Sequence, residues 1–200
     1  MQLSDLIGAR QVITVSGAHK GVGKTALSEI LLHNLRTFAA IKITITDDVV
    51  VVTDDEQEIM SPATDTCRMK QSGARKVVWV RSTEDLLLDS MKVALEKMMP
   101  CNGILIEGNS ILRHLNPTIS FFVVKPPFDA MKPSRVRALQ KANVCVINQV
   151  YGTTPGKELA QRLTDFNPGL MIFTINLLDP AGPTVNDYNR LLTLLNQRLA

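Results

Sequence analysis

Runs of apolar, β-branched residues alternate with segments of helical period along this 200-residue chain. Strands buried on both faces of a sheet read as continuous apolar runs, and their alternation with helices calls for a mostly parallel sheet covered on both sides. The pattern predicts strands at 11–16, 39–46, 49–53, 76–81, 103–107, 119–124, 144–148 and 170–174. A helix is expected over 24–38, with Leu27, Ile30, Leu31, Leu35 and Phe38 on one face. A second is expected over 82–99, with Leu86, Met91, Val93 and Leu95 aligned. Further helices are expected at 66–72, 133–142, 156–165 and 185–199. Ser82 and Thr184, each followed three residues on by an aspartate (Asp85, Asp187), are candidate N-caps. The expected fold is doubly wound α/β, with residues 1–200 forming one domain. The acidic stretch 47–65, which carries Pro62 and little periodicity, reads as a surface loop, part of it mobile and placed as a lid.

Composition removes several function classes. No stretch approaches the roughly 18 to 20 consecutive apolar residues of a membrane span, and the first residues, MQLSDLIGARQ, lack the basic and apolar regions of a secretory signal. They read as a short amphipathic lead-in to the first strand. Cys67, Cys101 and Cys145 are odd in number and far apart, which suits reduced thiols and a cytoplasmic protein. The net charge of +3 is scattered and aromatic residues make up 4%, so neither a basic track nor stacking platforms for nucleic acid are expected.

Residues 18–25 read AHKGVGKT, the phosphate-binding pattern GxxxxGK[S/T] with Ala18 in place of its first glycine and Gly17 just before it. The match follows an apolar strand and opens an amphipathic helix, the context in which such a loop binds phosphate. Gly21 and Gly23 let the backbone turn and approach phosphate oxygens without a Cβ in the way. The amides of Ala18, His19, Lys20, Gly21, Val22, Gly23, Lys24, Thr25 and Ala26 are then the candidate cradle, backed by the helix N-terminus. Lys24 is placed to reach the β and γ phosphates, and the Thr25 hydroxyl to ligate Mg²⁺. The expected ligand is GTP or ATP with Mg²⁺.

Other candidates lie at strand ends. Glu107 closes the run Ile104-Leu105-Ile106 and is expected opposite the loop, as a metal-site carboxylate or base. Asp48, beside Asp47, is a second metal candidate, with an acidic turn as the competing reading. Lys42 lies inside a strand, where a long cation must snorkel or find an anion. Asn148 ends a strand, where its amide could read a purine edge or simply form a turn.

The order of AHKGVGKT, Lys42, Asp65-Thr66-Cys67-Arg68, Ser72-Gly73-Ala74 and Ile106-Glu107-Gly108 resembles the molybdopterin-guanine dinucleotide biosynthesis protein B family of P-loop NTPases, over roughly residues 10–150. The resemblance implies GTP with Mg²⁺, a dimer, and a role with partner proteins in finishing the guanine dinucleotide form of the molybdenum cofactor. By the same resemblance Gly21, Gly23, Lys24 and Thr25 bind phosphate and metal, Glu107 stands at the metal, and Asp65 with Arg68 flanks the site. The chain departs from the family after Lys42, where Ile43-Thr44-Ile45-Thr46 replaces a histidine-bearing stretch, and after Gly108, where Asn109-Ser110 replaces an aromatic and a lysine. Two other readings stay open: an ATP-dependent ligase or kinase similar to dethiobiotin synthetase, and a nucleotide-switched scaffold in which binding orders residues 47–65.

Overall fold

The computed structural model describes residues 3–98, 100–126, 132–149 and 157–199. Eight strands form one sheet in the order β3-β4-β2-β5-β1-β6-β7-β8. They are β1 (Gln11–Gly17), β2 (Phe38–Ile45), β3 (Val51–Thr53), β4 (Val77–Ser82), β5 (Gly103–Glu107), β6 (Ile119–Val124), β7 (Val144–Asn148) and β8 (Met171–Ile175). Every pairing is parallel except that of the three-residue edge strand β3 with β4.

The helices are α1 (Leu3–Ile7), α2 (Lys24–Asn34), α3 (Glu56–Ile59), α4 (Asp65–Gln71), α5 (Leu87–Glu96), α6 (Pro133–Gln140), α7 (Lys157–Phe166) and α8 (Val185–Leu199), with a 3₁₀ turn at Ser110–Arg113. They cover both faces. On β5, Leu105 packs in the cluster that holds Leu27 and Leu31 of α2, whereas Ile104 and Ile106 pack in the cluster of α1 and α5. Adjacent residues of one strand thus face different helices, as the two-residue period requires.

The eight expected strands are all present, with ends shifted by at most two residues. The helix faces need three corrections. Leu86 and Val93 are exposed, and the buried stripe of α5 is Leu87, Ser90, Met91, Ala94 and Leu95. Ser82 is no cap: it lies buried at the end of β4, where its hydroxyl meets that of Ser90 at 2.9 Å. Phe38 begins β2 rather than ending α2, and its ring covers Gly103, where any Cβ would collide with it. The expected helix ends at Met99 and Gly156 lie outside the described residues.

Within the stretch 47–65, the expected strand β3 is followed by an element that was not expected, α3, and by the first residue of α4. Asp55 caps α3 by accepting from the amides of Gln57 and Glu58, and Thr64 caps α4 by accepting from Cys67. Between β3 and α3, Asp54 accepts from Lys76 and from Lys97, each at 2.7 Å. Sequence periodicity misses this order because short, side-chain-capped elements have no room to show a period.

Those two ammonium groups hold the Asp54 pKa down to about 2. A carboxylate depressed in the folded state contributes stability above its unfolded pKa, about 3.9, and loses it as the pH falls through the folded value. Asp54→Asn is therefore expected to lower the thermal midpoint at pH 7, with the gap to the parent protein closing between about pH 4 and pH 2. Melting curves across that range check this; a gap independent of pH would mean that the charge is not what holds the segment.

Candidate functional site

The turn between β1 and α2 is suspended from neighbouring strand ends. Gly17 donates its amide to Asn109 Oδ1 at 2.9 Å and accepts from Asn109 Nδ2 at 3.1 Å, while Ala18 donates to the Val123 carbonyl at 2.9 Å. Beyond that root, the amides from His19 to Ala26 donate to no acceptor among the described residues. A run of unpaired donors that ends on a helix N-terminus is an anion site.

Backbone conformation explains the residues in the loop. Gly21 has φ +81° with open space where a side chain would start. At Gly23, φ is +108° and a Cβ would come within 2.6 Å of Asn148 Nδ2. Ala18 is buried yet outside the left-handed region, so the first position of the pattern accepts a methyl group. The tight position is Gly17, where a Cβ would meet Val22 at 2.8 Å and the Val123 carbonyl at 3.1 Å.

Behind the loop lies a buried polar cluster. Parallel pairing of β2 with β5 puts Lys42 opposite Glu107, and Lys42 Nζ stands 2.5 Å from both Glu107 Oε1 and Asp65 Oδ2. Thr25 donates to Asp65 Oδ1 at 2.9 Å and approaches Glu107 Oε1 at 3.3 Å. Ser28, one turn along α2, donates to Glu107 Oε2 at 3.0 Å. Glu107 is 1% exposed, so these partners replace water for it; the Asp65 side chain is 40% exposed and keeps access to solvent. Hence Glu107 anchors the cluster, and Asp65 is the acid within reach of an incoming cation or water.

Charge balance follows from this geometry. Burial opposes the Lys42 ammonium, but Glu107 and Asp65 outweigh it and raise its pKa above the ordinary value. Burial likewise pushes the Asp65 carboxyl up, and the Lys42 and Thr25 contacts overcome that and pull it down. Lys24 lacks such a partner. Its nearest hydrogen-bond acceptor is the His19 carbonyl at 3.4 Å, and burial lowers its pKa, opposed by Glu107 and Asp65 and reinforced by Lys42 and Arg135.

Other expected residues are placed as follows. Asp48 is exposed and bonded locally to Thr46; the carboxylates beside Thr25 are those of Asp65 and Glu107. Asn148 is buried, donating to the Val22 carbonyl at 2.9 Å and accepting from Leu177 at 3.2 Å. Its amide is a brace for the loop rather than an edge turned toward a base. Arg68 pairs with both oxygens of Glu29, at 2.8 and 2.7 Å, and so clamps α4 onto α2 beside the cluster. Asn109 and Ser28 were not singled out from sequence. The spacing of three between Thr25 and Ser28, which puts both hydroxyls on one helix face, was the available signal. A cleft of about 250 Å³ adjoins the cluster, lined by Lys42, Thr44, Ala63, Thr64, Asp65, Thr66 and Trp79.

No family model matches the chain, and no curated protein matches it in sequence. Solved structures do resemble it. HypB from Helicobacter pylori in complex with nickel aligns with TM-score 0.61 and 15% identity over 95% of this chain and 87% of that one. The hydrogenase maturation factor HypB from Archaeoglobus fulgidus aligns with TM-score 0.58 and 14% identity over 99% and 93%. LpxK from Aquifex aeolicus in complex with ATP gives TM-score 0.51 and 15% identity, covering 82% of this chain and 53% of that one. At such identities the likeness shows the fold alone, a mostly parallel sheet covered by helices on both faces.

Removing the ammonium between the carboxylates leaves Glu107 buried without its cation, a change that costs about 3–5 kcal/mol in comparable buried pairs. Lys42→Met should shift the urea midpoint accordingly, and adding Glu107→Gln should restore part of the loss. A Lys42→Met protein that unfolds at the parent midpoint would show that the pair does not hold this end of the sheet.

Proposed function

We propose that the chain binds a Mg²⁺ nucleoside triphosphate, with GTP preferred, hydrolyses it slowly, and acts as a dimer with a partner protein in maturing a metalloenzyme cofactor, the guanine dinucleotide form of the molybdenum cofactor. The observation that carries this reading is convergence: Asp65 and Glu107, distant in sequence, both contact the Thr25 hydroxyl and are both bound by Lys42, and all three are part of the family resemblance. The pathway rests on that resemblance and nucleotide binding on the loop.

In this reading the amides from His19 to Ala26 take the phosphate oxygens and Lys24 spans the β and γ phosphates. Two carboxylates and a hydroxyl are the hard oxygen donors that suit Mg²⁺, which keeps few protein ligands beside phosphate and water, so the residues fit the metal. Thr25 and Asp65 would hold it directly and Glu107 would orient its surroundings; once bound, the ion would neutralise charge between the β and γ phosphates. Slow turnover follows from the placement of the acids. Both acids are engaged, Glu107 by Lys42, Thr25 and Ser28 and Asp65 by Lys42 and Thr25, and Asp65 is the one open to solvent and so to an attacking water.

A small-molecule kinase or ligase is the second reading, supported by the cleft beside Asp65. The cleft is lined largely by apolar surface, including the Trp79 ring, whose indole donates to Thr44 at 3.0 Å, and leaves room for a small acceptor molecule beside Asp65. The scaffold reading has less support, because the segment that nucleotide would order already carries β3 and α3.

Calorimetry with GTP, ATP and their diphosphates, with and without Mg²⁺, tests the proposal. Lys24→Ala should weaken triphosphate binding about 10- to 100-fold, the range of a charged hydrogen bond, without disturbing the fold. Thr25→Ala should act mainly on the Mg²⁺-dependent part. Heat-silent titrations of the folded parent protein with every Mg²⁺ nucleotide would end the nucleotide reading, and rapid phosphorylation of a defined acceptor without a partner would favour the kinase.

A further inference from the structure

We infer that Arg135 is a phosphate-binding residue supplied in cis, reaching the polyphosphate from the side of β1 opposite Glu107. The inference rests on the nucleotide reading above and adds to it a residue that the loop pattern does not contain.

Topology brings Arg135 there. β6 lies against β1 on the flank away from β5, and Gly17 is in register with Val123, whose carbonyl holds the Ala18 amide. The chain therefore leaves β6 beside the root of the loop. It re-enters described structure at Lys132 and starts α6 at Pro133, so Arg135 falls in the first turn of that helix. α6 packs against β1, and the Arg135 guanidinium is near enough for its charge to act on the Lys24 ammonium.

The second observation is how the arginines are partnered among the described residues. The half-buried arginines among the described residues are Arg10, Arg68, Arg81 and Arg135. Arg10 donates to the Leu6 and Ile7 carbonyls, Arg68 to Glu29 and Arg81 to Glu58. Arg135 has no acceptor for its guanidinium among the described residues, and the first turn of α6 contains no acid. The Arg135 charge works against the Lys24 ammonium, a like-charge cost within a site partly withdrawn from water that Glu107 and Asp65 offset only in part. A bound polyanion removes that cost. The planar fork of five donors is the group suited to grip two phosphate oxygens at once, where Lys24 supplies a point charge.

The test compares GTP affinity in excess Mg²⁺, by calorimetry, for the full-length parent protein, Arg135→Gln, Arg135→Lys, Arg137→Gln and Lys24→Ala. Arg137 is exposed two residues along the same helix and controls for bulk charge. Arg135→Gln is expected to bind about tenfold more weakly, the loss of one charge-assisted contact. Arg135→Lys should fall between it and the parent, and Arg137→Gln should match the parent. Arg135→Lys keeps the test valid if the glutamine variant folds poorly. Affinity of Arg135→Gln within twofold of the parent, or reduced only as far as that of Arg137→Gln, would overturn the assignment. Binding lost in Lys24→Ala but intact in Arg135→Gln rejects Arg135 alone, whereas a parent protein that binds no nucleotide rejects the reading beneath it.

Discussion

The ion cluster of Lys42, Asp65 and Glu107 is the interaction on which the site depends. It arises from strand register: parallel pairing of β2 and β5 sets Lys42 across from Glu107, and neither side chain could stay at that depth alone. Once paired, the two fix everything nearby. Glu107 takes the Thr25 and Ser28 hydroxyls and so sets the rotation of α2 about its axis. Lys42 draws in Asp65, the first residue of α4, and the Arg68–Glu29 pair one turn later makes the helix contact bidentate. The cluster thus joins α2, two central strands and α4 at one point behind the loop between β1 and α2.

The loop above it depends on a different device. Three successive strands each send one group to it: Asn109, just beyond β5, to Gly17; the Val123 carbonyl of β6 to Ala18; and Asn148 of β7 to Val22. These bonds engage the root and the inner side of the loop and leave the donors of its outer side free. The rigidity needed for anion binding is therefore supplied from outside the loop, which is why glycines, poor at fixing their own conformation, can occupy it.

Much of this was legible in the sequence, and the part that was not has a physical reason. Continuous apolar runs such as Gly103–Glu107 and Val144–Asn148 announced the buried strands to the residue, because burial on both faces leaves no competing reading. Gly-Val-Gly-Lys-Thr located the loop, since its conformation tolerates few other residues. Lys42 and Glu107 were visible as charged residues in apolar strands, but their contact was not, because register between strands about sixty residues apart cannot be read from one chain. Asn148 illustrates the remaining limit: an amide at a strand end suits base recognition and loop bracing equally well, and only the distances to Val22 and Leu177 decide between them. Short capped elements such as α3 were hidden for want of period.

Thr184 and Asp187 were expected to cap α8, yet both side chains turn to the edge strand β8 and the residue just past it. The Thr184 hydroxyl accepts from the Asn176 amide at 3.0 Å and the Asp187 carboxylate from the Thr174 amide at 2.8 Å. Alternate main-chain donors on the free flank of the sheet are thereby occupied from within the molecule. A strand from another copy, or from an unfolded neighbour, finds no ladder to join along that stretch, so the broad apolar sheet is shielded against end-on growth into larger aggregates.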